Sequence, residues 1–174
     1  MQALFLWFYC LTLPQAVILS VCAMWIVLHL HRQFSGRRPW RLFLGVMFVL
    51  GLAAILAQTV LLRSPGEKQE AALPLFASYR ALKAGGNPEI LRSNLMNVLL
   101  FCPLGLCGCL LWGRSVKLWQ AALVTAGLFV ISCGIEWVQL ETGRGLCEAD
   151  DVFHNTLGAL TGSLFSWLYG KIYH

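Results

Sequence analysis

The sequence predicts an all-α fold: a polytopic membrane bundle of about five transmembrane helices, forming one domain over residues 1–174. Three observations carry that expectation. Hydrophobic residues make up 58% of the chain and charged residues 12%, and the mean hydropathy is +0.68. A soluble domain of this length cannot bury so much apolar surface, whereas a bilayer leaves no need to bury it. The charges fall in linkers between apolar runs close to the roughly 20 residues that a spanning helix needs. The net charge of +5 therefore reads as a topology signal, and no nucleic-acid partner is expected.

The first run extends from Ala3 to about Leu30. It has no basic start and no small-residue cleavage site, which predicts a retained helix that Pro14 kinks or divides. The second run is Leu42–Leu62. The polar stretch Arg63–Arg92 follows, and its half-apolar segment Leu73-Pro-Leu-Phe-Ala-Ser-Tyr79 is expected to lie flat on the membrane or dip into it. The third run, Ser93–Trp112, opens with Asn94 and Asn97 and contains Pro103. The fourth runs from Val116 to about Leu140 with Glu136 near its end, and the fifth is Asp151–Tyr169. Trp7, Trp40, Trp112, Trp119 and Trp167 lie near run ends, as interfacial anchors do. Cys10, Cys22, Cys102, Cys107, Cys109 and Cys133 sit inside the runs and read as small hydrophobes; only Cys147 is in a polar loop. No disulfide framework and no metal motif is expected.

Orientation follows from the linkers. Arg32, Arg37, Arg38 and Arg41 follow the first run, Arg114 and Lys117 separate the third from the fourth, and Lys171 is near the C-terminus. No acid accompanies them. The positive-inside rule places them in the cytoplasm, with the N-terminus outside and the C-terminus cytoplasmic. Glu136 and every other acid then lie on the outer side.

Ionisable groups at membrane depth are costly, so each one is a candidate for function. Glu136 and Gln139 share one face of the fourth helix, and Asp151 and Asn155 share one face of the fifth, with His154 on the adjoining flank. The loop between these helices adds Arg144 and Glu148. Asn97 opens the third helix, and Arg63 and Arg92 lie at the rim of the same end. A carboxylate in an apolar wall can serve as general acid or base. An arginine beside it supplies a fork of donors matched to phosphate. Together they suit the head group of an anionic lipid. Alternatively, Glu136, Glu148, Asp150 and Asp151 could hold a divalent cation through oxygen ligands. No dedicated nucleophile stands out.

Plainer structural roles compete with these. Asp150 and Asp151 begin a helix, where carboxylates cap free N–H groups. Glu136 and Arg144 could be an architectural ion pair, and Asn94, Asn97 and Asn155 could glue helices together. His154 is expected to be partly solvated. Gly158, Gly162, Gly105 and Gly108 read as close-packing positions.

Asn97-Val-Leu-Leu-Phe-Cys-Pro-Leu-Gly105 resembles the Asn-hydrophobic-Phe-x-Pro-Leu-Gly signature of the VanZ-like membrane protein family. The resemblance continues in order through Ile135-Glu-Trp-Val-Gln139, Arg144 and Asp151-Val-Phe-His-Asn-Thr-Leu-Gly-Ala159, with Arg63 and Leu73-Pro-Leu-Phe76 upstream. It spans about residues 63–168. His154 departs from it, since the family usually has an aliphatic residue there. The resemblance implies a multi-pass protein of the bacterial cytoplasmic membrane, in a family named for lowered susceptibility to teicoplanin-type antibiotics.

The expected function is the processing of a phospholipid or polyprenyl-linked lipid head group at an outward-facing polar site. Glu136, Asp151 and Arg144 would be the catalytic residues, with Asn97, Gln139, Asn155 and Arg63 binding the substrate. The alternative is a non-catalytic lipid- or antibiotic-binding protein that alters access to cell-wall precursors. A transport path is disfavoured, because the polar residues gather at one membrane end and not along the midplane.

Overall fold

A computed structural model describes residues 13–62, 64, 71–87 and 89–173. Its long helices are α1 (Leu13–Phe34), α2 (Arg38–Leu56), α4 (Glu89–Leu110), α5 (Leu118–Thr142) and α6 (Ala149–Tyr173), with a short α3 (Ala77–Lys83) before α4. A π-helical turn, Ala57–Leu61, prolongs α2. Four helices are long and apolar enough to cross a membrane: Pro14–Phe34, Arg38–Leu61, Glu89–Leu110 and Leu118–Thr142. The start of the first run, with Trp7 and Cys10, lies outside the described residues.

The fifth expected span, α6, has spanning length at 25 residues but does not qualify by composition. The reason is its position. His154, Asn155, Gly158, Ala159, Gly162, Ser163 and Ser166 along it are all buried, so it faces protein where the other helices face lipid. Its neighbour α4 is likewise internal, with 56% of its apolar window buried against 11% for α2.

The α4–α6 contact depends on missing side chains. A Cβ on Gly162 would stand 1.9 Å from the Cys102 carbonyl oxygen, and one on Gly158 would stand 2.2 Å from that of Val98. Backbones approach this closely only where both faces are small. Ser163 and Ser166 donate across the contact to the carbonyls of Gly105 and Leu106, at 3.4 and 3.2 Å. The expected close-packing role of these glycines is thus borne out.

Matched positions advance together along α4 and α6, so these helices run parallel. The contact of Gly51 with Leu104 and of Gly45 with Leu111 sets α2 antiparallel to α4. Asn155 of α6 donates to Ser132 of α5 at 2.9 Å, within an antiparallel hairpin. Consequently the end of α2, the start of α4, the end of α5 and the start of α6 meet at one end of the bundle. Arg32, Arg37, Arg38, Arg41, Arg114, Lys117 and Lys171 fall at the other.

At that basic end His31 is buried, 2% exposed. It accepts from Trp40 Nε1 at 2.9 Å, which leaves its proton on Nε2 to donate to the Gly113 carbonyl at 3.1 Å. Among the described residues Cys22, Cys102, Cys107, Cys109, Cys133 and Cys147 are free thiols.

Candidate functional site

The C-terminus of α5 is set by Gly143, whose φ of 63° lies in the left-handed region that glycine tolerates. The reversal brings the Arg144 N–H onto the Gln139 carbonyl at 3.1 Å and turns the Arg144 side chain toward α2. There Arg144 Nη1 donates to the Val60 carbonyl at 3.2 Å, and Gln139 Nε2 donates to the Thr59 carbonyl at 2.9 Å. The last carbonyls of a helix have no intrahelical donor. Gln139 and Arg144 therefore cap the π-helical end of α2, and a cation there complements the helix dipole. Among the described residues Arg144 bonds the Val60 carbonyl, and the Glu136–Arg144 ion pair considered above is not seen.

Glu136 is buried, 4% exposed. Its Oε2 accepts the backbone N–H of Glu148 at 2.9 Å, tying the loop back onto α5. Cys147, in that loop, has its thiol pushed up first by burial and then by the negative charges of Glu136 and Glu148. Asp151 Oδ1 accepts from Asn97 Nδ2 at 2.8 Å, joining α6 to α4. One turn on from Asp151, Asn155 meets Ser132, which is one turn before Glu136. The hairpin register therefore sets the Glu136 turn of α5 against the Asp151 turn of α6. Asn97, Gln139, Arg144, Asp151 and Asn155 do gather with Glu136 at one end, linked through helix faces more than through direct mutual bonds. Arg63 lies outside the described residues.

Two polar atoms in this region stand out. Gln139 Oε1 and Asn155 Oδ1 are buried and have no hydrogen-bond partner. The Gln139 orientation is fixed, because its amide nitrogen must face the Thr59 carbonyl, which can only accept. A buried carbonyl without a donor costs free energy on the order of 1–3 kcal/mol. Such orphans are rare in folded proteins and mark places where a ligand or a water supplies the missing donor.

Asp150 and His154 depart from expectation. Asp150 does not cap its own helix. Its carboxylate accepts the N–H groups of Phe76 and Ser78, the latter at 2.7 Å, and the Ser78 hydroxyl. It thereby caps α3 from across the molecule and fixes Phe76 at φ 63°, a backbone region costly for a bulky residue. Asp150 precedes the apolar stretch of α6. Burial pushes its carboxyl up, but the donors from Ser78 and Phe76 outweigh that and hold it below the ordinary carboxylate range.

His154 is buried and not partly solvated, at 3% exposed. Its Nδ1 faces the Asp150 carbonyl and so carries a proton, leaving Nε2 to accept the Tyr79 hydroxyl at 2.8 Å. Asn94 donates to Ser78 at 3.0 Å, and the Phe76 and Phe153 rings meet edge to face at 5.2 Å. Ala72 pairs with the loop before α6, its N–H on the Cys147 carbonyl at 2.9 Å. The segment expected to lie flat on the membrane or dip into it forms a strap docked across the start of α6.

This docking removes Asp150 from the expected four-carboxylate cation cage, because its oxygens are occupied by the strap. Among the described residues no group of three or more His, Cys, Asp or Glu side chains converges as a metal site. Sequence reasoning missed Ser78, Tyr79, Ser132, Thr59 and Val60. Ser132 was findable, lying one turn from Glu136 on the same face. Thr59 and Val60 act through backbone carbonyls and leave no side-chain signal.

Comparison with curated proteins gave no match, and comparison with solved structures gave none. The family model described as VanZ/LLP1 matches residues 4–170, nearly the whole chain. Set on helices able to span a membrane, that match makes this chain a membrane protein of the VanZ/LLP1 family.

Proposed function

We propose that the protein processes a lipid head group or lipid-linked phosphate at the polar end of the bundle. The observation that supports this reading best is the pair of unpartnered buried carbonyls, Gln139 Oε1 and Asn155 Oδ1, beside the facing turns of Glu136 and Asp151. A purely architectural cluster would be expected to satisfy its own members. These acceptors call for a donor from outside the chain, which a head group bearing hydroxyl or ammonium groups supplies. Glu136 serves as general acid/base. Asp151, oriented by Asn97, positions the attacking water or hydroxyl. Arg144 offers its remaining guanidinium donors to phosphate. Gln139 and Asn155 orient the head group, and Arg63 is kept, on the sequence alone, as a further substrate-binding residue.

The site faces outward from the bacterial cytoplasmic membrane in this reading, because the seven cations at the opposite end follow the positive-inside rule. A substrate among polyprenyl-linked cell-wall precursors would connect turnover to teicoplanin susceptibility. That link is tested by comparing susceptibility in cells carrying the unmutated and Glu136→Gln proteins.

The deciding experiment incubates purified protein with bacterial lipid extract and follows head groups by mass spectrometry. The unmutated protein is expected to change one class. Glu136→Gln and Asp151→Asn should lower turnover by about 10²–10⁴-fold, the usual contribution of a positioned acid or base, while remaining folded in the membrane. Turnover retained by both variants overturns the assignment. A second reading, non-catalytic binding of a lipid or antibiotic, draws support from the structural duties of Gln139, Arg144 and Asp150. One unmodified lipid co-purifying at fixed stoichiometry, with no head-group change, would favour it.

A further inference from the structure

An open apolar groove of about 460 Å³ runs between the π-helical turn and α5, lined by Leu56, Val60, Leu61, Ile131, Ile135 and Val138, with Gly134 and Trp137 beside them. Its lining advances toward the polar end on both helices, covering about 10 Å along α5 from Ile131 to Val138 at 1.5 Å per residue. At that end Val60, itself a lining residue, carries Arg144 on its carbonyl, and the carbonyl of Thr59 carries Gln139. The groove therefore has a guanidinium bonded beside its polar end, on the carbonyl of one of its own lining residues, and continues as hydrocarbon. A second apolar groove, between α2 and α4, has Ser20 and Gln58 among its lining residues but no cation.

That polarity matches one kind of occupant. We propose that this groove holds one acyl chain of a phosphate-bearing membrane lipid, with the phosphate at Arg144 and the head group over Gln139. The proposal rests on the lipid reading above and deepens it, naming a phospholipid as the ligand and giving its tail a place. Gly134 is the feature that keeps the groove open. A Cβ there would meet nothing within 4 Å, so no packing demands glycine. A larger side chain at this position would enter the groove.

Native mass spectrometry of the detergent-solubilised protein, titrated with dioleoylphosphatidylglycerol, tests this. The unmutated protein is expected to retain one lipid. Gly134→Leu puts its side chain into the groove without a backbone clash and should weaken binding by about fifteenfold, the equivalent of about two buried methylenes lost. Gly127→Leu, on the same helix at another site where a Cβ meets nothing, should bind as the unmutated protein does. Arg144→Gln should weaken binding about tenfold, as loss of a charge-assisted contact does, bringing phosphatidylglycerol to the level of dioleoylglycerol.

Equal binding by the Gly134→Leu and Gly127→Leu proteins overturns the tail site, and equal retention of dioleoylglycerol by the unmutated protein overturns the phosphate contact at Arg144. Failure of the catalytic reading is distinguishable: the lipid would still bind in the groove, with Gly134→Leu sensitivity, yet leave unchanged.

Discussion

The two ends of this bundle are closed by the same helices, yet they treat polar groups in opposite ways. At the basic end the cations lie outward against aromatic faces, Arg32 over Tyr173 and Lys171 over Trp167, each at 5.0 Å. His31, buried there, is held between the Trp40 indole N–H and the Gly113 carbonyl. At the acidic end Glu136 and Asp150 are buried, Asp151 is half-buried, and two carbonyls have no donor. Burial of charge is costly in any low-dielectric setting and more so at membrane depth. A chain that keeps charge at the surface of one end but not the other shows where something beyond packing is at work. The basic end is closed by its own side chains, whereas at the acidic end two buried carbonyls are not matched by a donor from the described residues.

The largest expected effect that sharpens this contrast comes from Asp150→Ala. It removes the acceptor of three strap donors and leaves Phe76 strained, and hydrogen bonds to a charged group are worth about 1.5–3 kcal/mol each without adding fully. We expect a loss of about 3 kcal/mol in stability, with amide exchange at Phe76 and Ser78 accelerating while the basic end keeps its protection. Unchanged exchange in the strap would mean that the Phe76–Phe153 contact, and not Asp150, holds it. His31→Leu is the counterpart at the other end. It strands Trp40 Nε1 and the Gly113 carbonyl and should cost about 2 kcal/mol, measured by thermal unfolding in detergent. Turnover at the acidic end should not change, and a large fall in turnover would dissolve the distinction between the two ends.

Most of the scaffold is legible in the sequence because membrane length and hydropathy leave few alternatives. The runs, the glycine seam of α4 and α6, and the gathering of Glu136, Gln139, Asp151 and Asn155 at one end all follow from spacing. Element ends moved by a few residues: α2 begins at Arg38, four residues before its apolar run, because Pro39 suits a first helical turn. What could not be read was the destination of side chains that bond across long sequence separations. Asp150 has the signature of a helix cap and is one, but for α3, more than seventy residues away in the chain. Gln139 and Arg144 look like ligand-binding groups, and each spends a donor on the end of α2. The sequence marks which residues are expensive to bury, while only the fold shows which of their hydrogen bonds are already taken.

The smallest of these effects is also the most discriminating test of the strap. Tyr79→Phe removes one neutral hydrogen bond and leaves His154 Nε2 buried without its donor, which should cost about 1 kcal/mol. His154→Leu alone strands the Tyr79 hydroxyl and should cost a similar amount. The double variant removes both partners together and replaces them with apolar groups, so it should lie within about 0.5 kcal/mol of the better single variant. An aliphatic residue is what the family resemblance leads one to expect at position 154, and the pairing explains why a histidine is accommodated here: Tyr79 gives its ring nitrogen a partner in a buried place. Additive losses in the double variant would show that the two side chains do not act as a pair, and His154 would then need another reason for its burial.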